Sequence, residues 1–98
     1  MDPLQSLREE LDSIDNHLLE TLGRRFGVCR KIAMRKAEFA IPMMQPGRVE
    51  TVKQRAAAGA RKFGFSEVFA INVYELVIEE ACRIEVELME RGEVPPVP

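Results

Sequence analysis

Arg25, Cys29, Ile32 and Lys36 follow one another at steps of four, three and four residues. On an α-helix turning about 100° per residue those steps define a single stripe, in which two cations bracket two apolar side chains over about 16 Å of axis. Arg8 lies beside Leu4 and Leu11 on an apolar stripe nearer the N-terminus, about 25 Å along the axis from Arg25. One chain cannot close Arg8 and Arg25 on the same small molecule. An antiparallel pair of such helices brings Arg8 of one copy to the Arg25 region of the other. Arg48 opens a second helix, where free N–H groups and the helix dipole also favour an anion. Glu85 has Ala81 and Cys82 one turn before it and Leu88 and Met89 one turn after it. An acid among such neighbours is expected to be partly buried and to need a cation or a proton. Glu75, near Val68, Ile71 and Ile78, is read in the same way. Two readings stay open for these charges. They are internal salt bridges that set helix register or rim positions whose long stems cover apolar surface, or they line a site for a small polyanion with a polar or positive group, each carboxylate of which takes an Arg.

The elements that position these residues are helical throughout. Asp2-Pro3 reads as a helix start, with Asp2 as N-cap, Pro3 at the first helical position and Gln5 completing a capping box. Apolar residues then recur at Leu4, Leu7, Leu11, Ile14, Leu18, Leu22, Phe26, Cys29 and Ile32 at helical steps, which predicts a first helix over about 3–39. Gly23 and Gly27 weaken it by about 1 kcal/mol each relative to Ala. The stretch Ile41-Pro42-Met43-Met44-Gln45-Pro46-Gly47 is a loop, since two prolines and a glycine punctuate it. Helix 2 is expected to start at Pro46, to carry Val49, Val52, Ala56 and Phe63 on one face and to stop at Gly64. Ser66 caps helix 3, which is predicted to run to about Arg91. Residues 1–91 thus form one helical domain, and 92–98, rich in proline, a flexible tail.

A first helix of about 37 residues is about 55 Å long, whereas a compact domain of this size is about 30–35 Å across. Its apolar stripe continues along the part that must project. A two-fold homodimer with the long helices side by side covers that surface; a hairpin break near Gly23–Gly27, giving a four-helix monomer, is the alternative.

Composition narrows the chemistry. The 98 residues carry 14 Lys and Arg against 16 Asp and Glu, a net charge of −2, where a nucleic-acid protein would be clearly basic. No apolar run approaches the ~20 residues of a membrane span, and the start is not expected to be a signal peptide. Two cysteines, Cys29 and Cys82, and one histidine, His17, supply neither a zinc cluster nor a disulfide framework. His17 lies in the polar run Asp15-Asn16-His17 and is read as solvent-facing; both thiols are read as packing residues in a reduced, cytoplasmic protein. The expected chemistry runs without metal, cofactor, nucleophile or histidine base, and without nucleic-acid or membrane partners.

Over about residues 3–90 the sequence resembles the all-helical chorismate mutase family. The resemblance rests on Leu7-Arg8-Glu9-Glu10-Leu11-Asp12-Ser13-Ile14-Asp15, then Arg24-Arg25, Lys36, Arg48 and the Val77-Ile78-Glu79-Glu80 stretch. It implies an all-α fold of three helices with a long first helix, in an intertwined homodimer with shared active sites. Arg8 would come from one subunit and Arg25, Lys36 and Arg48 from the other. The implied reaction is a Claisen rearrangement of an enolpyruvyl ether on a cyclohexadiene dicarboxylate. The protein then contributes orientation and preorganised electrostatics, with Lys36 as main donor to the ether oxygen.

The departures from the familiar bacterial mutases are specific. Those place an acid at the position of Gln45, Glu at Val49, Ser at Ala81 and Gln at Glu85. Within the family the chain is more similar to 4-amino-4-deoxychorismate mutases of p-aminophenylalanine-derived antibiotic pathways, through Met43-Met44-Gln45-Pro46-Gly47-Arg48-Val49 and Cys82-Arg83-Ile84-Glu85. This implies rearrangement of 4-amino-4-deoxychorismate to 4-amino-4-deoxyprephenate. Lys36, Arg48 and Glu85 are then the expected catalytic residues, and Arg8, Arg25, Gln45, Val49 and Ala81 the expected substrate-binding ones. The alternatives are a chorismate mutase, an isochorismate-pyruvate lyase, suggested by Ile41-Pro42 and Pro46-x-Arg48-Val49, and a non-catalytic helical dimer binding an anionic metabolite or a partner protein. Glu85 either holds the substrate amine or serves the ether oxygen, protonated or paired with Lys36.

Overall fold

The computed structural model describes residues 2–43 and 45–92, and among these it contains three helices and no strand. Helix α1 spans Gln5–Glu38, α2 Arg48–Phe63 and α3 Glu67–Glu90. The expectation for the proline-rich tail falls outside the described residues.

Asp2 is not the N-cap and Pro3 is not helical: α1 starts at Gln5, because Pro3 and Leu4 form a turn that Asp2 closes. Its Oδ1 accepts from the Leu4 N–H at 2.9 Å and its carbonyl from the Gln5 N–H at 3.2 Å. The capping box does not form, because Gln5 donates forward to Glu9 at 3.0 Å instead of reaching back. Helix α1 then runs unbroken through Gly23 and Gly27, which removes the hairpin alternative. Its 34 residues correspond to about 51 Å, and the molecule measures 60 × 27 × 15 Å. The helix therefore projects, as its length requires.

Both loop-facing helix ends use the same device. At the end of α1, the Ile41 N–H donates to the Lys36 carbonyl at 2.7 Å and the Ala40 N–H to Ala37 at 3.3 Å, a Schellman closure with Ala40 in the left-handed region at φ 54°. At the end of α2, Gly64 takes that place at φ 80°, with the Phe65 N–H bonded to the Ala60 carbonyl at 2.9 Å. A Cβ in this conformation crowds the following carbonyl, so Ala40→Gly is expected to stabilise the fold by about 1 kcal/mol, read as a higher urea midpoint with unchanged slope. Ser66 caps α3 as expected, accepting from the Phe69 N–H at 3.1 Å. Helix α2 begins at Arg48, not Pro46, because Pro46 and Gly47 form a turn, with Gly47 at φ 80°.

Two small cores join the helices. Ala33 of α1 meets Ile84 and Leu88 of α3, with Phe26, Ala37 and Met89 against them. Ala56 and Ala60 of α2 meet Ala70 of α3, with Tyr74 beside them. α1 and α3 run parallel in a constant register. Lys36 meets Glu85, and Arg25 meets Tyr74, at the same sequence separation of 49. α2 returns antiparallel, tied to α3 by Lys53 Nζ to Glu75 Oε1 at 3.0 Å. Glu75 is thus not a buried acid like Glu85: its side chain is 46% exposed, on the rim of the α2–α3 packing.

Much of the remaining apolar surface is uncovered. Ala33 is the single buried residue of α1, while Leu4, Leu7, Leu11, Ile14 and Leu18 all stand exposed. Phe63, expected on the buried face of α2, is 73% exposed. It sits in the last turn, where the chain reverses at Gly64, and it faces an open groove with Phe65 and Phe69. That groove, of about 850 Å³, lies between the middle of α1 and the α2–α3 pair.

Candidate active site

Of the α1 stripe read from the sequence, Arg25 and Lys36 face α3 and Cys29 is half-buried, while Ile32 stands exposed and Ala33 takes the buried place beside it. Lys36 Nζ donates to Glu85 Oε1 at 3.1 Å and to the Met43 carbonyl at 2.6 Å. The two side chains are 17% and 12% exposed, so most of this ion pair is withdrawn from water. Burial of either charge alone would be costly, and each supplies the counter-charge the other needs. The Met43 contact also ties the α1–α2 loop to the site, since it uses a second proton of the ammonium and leaves the third for a ligand.

Three turns earlier, Arg25 has its guanidinium carbon 5.7 Å from the centroid of the Tyr74 ring. Its Nη1 lies 3.9 Å from Cys29 Sγ, a weak contact. Arg25 and Arg48 line the same apolar groove, together with Arg55 and Tyr74. Lys36, Glu85, Gln45, Val49 and Ala81 lie outside that groove's lining. Gln45 is exposed in the loop, where its Nε2 donates to the Pro42 carbonyl at 2.9 Å; Val49 and Ala81 are half-buried. Arg8 is exposed and held by Asp2 at 3.0 Å. Within one chain, then, the structure joins Lys36 to Glu85 and places Arg25 with Arg48, but leaves Arg8 apart.

Two groove residues, Tyr74 and Arg55, were not legible in the α1 pattern. Tyr74 is the single tyrosine of the chain, and its position four residues before Ile78 on the inward side of α3 was the available signal. Arg55 follows Arg48 by seven residues, two turns along the same face of α2.

The remaining charge pairs lie away from these residues. Arg83 donates to Glu80 and Glu87 on the exposed side of α3. Those hydrogen bonds hold the Glu80 carboxyl below its usual range, and the same two carboxylates raise Arg83. His17 is exposed, its Nδ1 2.8 Å from the Ser13 carbonyl oxygen. Cys29 and Cys82 are free and half-buried. Among the described residues, no helix is long and apolar enough to cross a membrane.

Three helices with a projecting first helix, and with Lys36 and Arg25 turned toward α3, form an all-helical scaffold suited to holding a small anion. The chain belongs to the chorismate mutase type II family, whose model matches residues 7–86. It is 48% identical to a 4-amino-4-deoxychorismate mutase of Streptomyces venezuelae, over 90% of this chain and 85% of that protein. It is 38% identical to a 4-amino-4-deoxychorismate mutase of Streptomyces pristinaespiralis, over 96% of this chain and 73% of the relative. A chorismate mutase of Methanocaldococcus jannaschii is 22% identical over 92% and 91% of the two chains. No solved structure matches the chain.

Proposed function

We propose that this enzyme rearranges 4-amino-4-deoxychorismate to 4-amino-4-deoxyprephenate in the cytoplasm, as a homodimer whose two sites are shared, and that its product feeds a p-aminophenylalanine-derived antibiotic. The observation that carries the substrate is the 48% identity to a protein of that activity across nine-tenths of the chain. The reaction is a concerted six-electron cycle. The ether C–O bond breaks as a C–C bond forms to the ring, and no proton, nucleophile or leaving group is exchanged.

The residues divide the work accordingly. Arg25 and Arg48, with Arg8 of the second subunit, hold the two carboxylates and so keep the enolpyruvyl arm folded over the ring. The remaining Lys36 proton meets the ether oxygen as negative charge builds there. Glu85 answers the amino group. One of its oxygens is engaged by Lys36, and the other is available to accept from the amine. Gln45, Val49 and Ala81 line the ring end. The exposed stripe Leu4–Leu18 and the groove beside Leu18, Leu22 and Phe69 supply complementary apolar surfaces for a second copy.

Purified enzyme given 4-amino-4-deoxychorismate, chorismate and isochorismate in turn tests this, read by loss of the enolpyruvyl diene absorbance and by product identity. The amino substrate is expected to have the highest kcat/KM. A preference for chorismate would sink the substrate assignment, free pyruvate would point to a lyase, and no turnover of any of the three would leave a binding module. Glu85→Gln is expected to narrow the preference for the amino substrate by about 10-fold or more, the value of one charge-assisted hydrogen bond.

A further inference from the structure

We infer that Tyr74 is a positioning residue for Arg25, holding the guanidinium by its ring face so that the full charge is presented to a substrate carboxylate. The inference rests on the proposed role of Arg25 as a carboxylate clamp.

Arg25 is half-buried, yet none of the ion pairs among the described residues includes it. The Tyr74 ring, 5.7 Å from its guanidinium carbon, and the Cys29 sulfur, 3.9 Å from its Nη1, are both neutral. The contrast with Lys36 is physical. Lys36 is oriented by a carboxylate, which fixes its position but offsets part of its charge. An aromatic face attracts a cation through its quadrupole and stays electrically neutral. It therefore restricts the arginine rotamers without competing with the substrate as a counter-ion. Tyr74 is itself fixed from behind, because it packs against Ala56, Ala60 and Ala70 where α2 meets α3. The order of this small α2–α3 contact is in this way passed to a flexible, long side chain on the neighbouring helix. Tyr74 and Arg25 line the same groove, so the ring also shields the clamp from water on one side.

The ring face, not the hydroxyl, carries this role. Tyr74→Phe is expected to keep kcat/KM within about twofold of the parent, while Tyr74→Leu lowers it by about 3- to 30-fold, chiefly through KM. In an Arg25→Ala background, Tyr74→Leu is expected to change nothing further, within about twofold. A direct signature accompanies the kinetics: the Arg25 Nε–H proton resonance of the free enzyme is expected upfield through the ring current, in the parent and in Tyr74→Phe, and not in Tyr74→Leu. Equal losses for Phe and Leu would overturn the inference in favour of a hydroxyl contact. A Leu effect that persists without Arg25 would overturn it in favour of core packing. Should Tyr74→Leu fail to fold, an unshifted Arg25 resonance in the parent would by itself overturn it. A fully active Arg25→Ala enzyme is a different result, since it removes the clamp reading on which the inference stands.

Discussion

Subunits carrying Arg8→Ala, mixed with subunits carrying Arg25→Ala, are expected to recover activity that neither variant has alone. In the proposed homodimer with shared sites, each single variant removes one arginine from both sites and is expected to lower kcat/KM by about 100-fold or more, the cost of a charge-assisted carboxylate contact. In the mixed dimer one site draws Arg8 from the subunit in which it is intact and Arg25 from the other, so that site is complete. The second site lacks both. With random exchange, half the dimers are mixed and one site in two is restored in each, so about a quarter of parental activity returns. The observation behind the prediction is the isolation of Arg8. It is exposed, pairs with Asp2, and stands about 25 Å along α1 from Arg25. Its neighbours Leu4, Leu7 and Leu11 are equally unpacked. Co-refolding of the two variants, with native mass spectrometry to count mixed dimers and a turnover assay on the same sample, decides the matter. Mixed dimers without recovered turnover would exclude Arg8 from the partner's site.

The same isolation explains what the sequence could and could not display. A helix punctuated by Pro42, Gly64 and Ser66 is legible because each of those residues acts on its own few neighbours. The length of α1 was legible too, since apolar steps of three and four continue past both glycines. Pairing across helices is different. Steps of four and seven place Arg25, Cys29 and Lys36 on one stripe, but no periodicity within α1 says that Lys36 meets Glu85, because that contact depends on the register of two helices separated by 49 residues. Glu75 and Glu85 have similar apolar flanks and were therefore read alike. One meets Lys53 at the rim and the other Lys36 inside, a difference set by which neighbouring helix each faces. Tyr74 escaped for the same reason, as its significance comes from the arginine opposite it and not from its own segment. Phe63 failed in the other direction. Its spacing places it on the inward face of α2, but the helix ends there, and Phe63 borders the open groove instead of a packed neighbour.

Lys36→Met is expected to be the most damaging single change to catalysis, and its effects on rate and on stability should separate. A methionine fills much the same volume as the lysine stem but donates nothing. If the third proton of Lys36 meets the ether oxygen, its loss removes a preorganised donor from the place where charge develops, at a cost of about 10²–10³ in kcat with little change in KM. The same change leaves Glu85, 12% exposed, without its cation. An acceptor stripped of its partner in such a setting destabilises the fold by about 1–3 kcal/mol. Adding Glu85→Gln removes the stranded charge, so the double variant is expected to regain most of the lost stability. Its rate should stay low, because a glutamine at that position cannot replace the ammonium. Urea unfolding and steady-state kinetics on the parent, both single variants and the double variant give both cycles from one set of proteins. Recovery of rate together with stability would mean that Lys36 acts only as a strut for Glu85. Recovery of stability alone identifies Lys36 as the group that meets the reacting oxygen, with Glu85 and the Met43 carbonyl as the two acceptors that aim it.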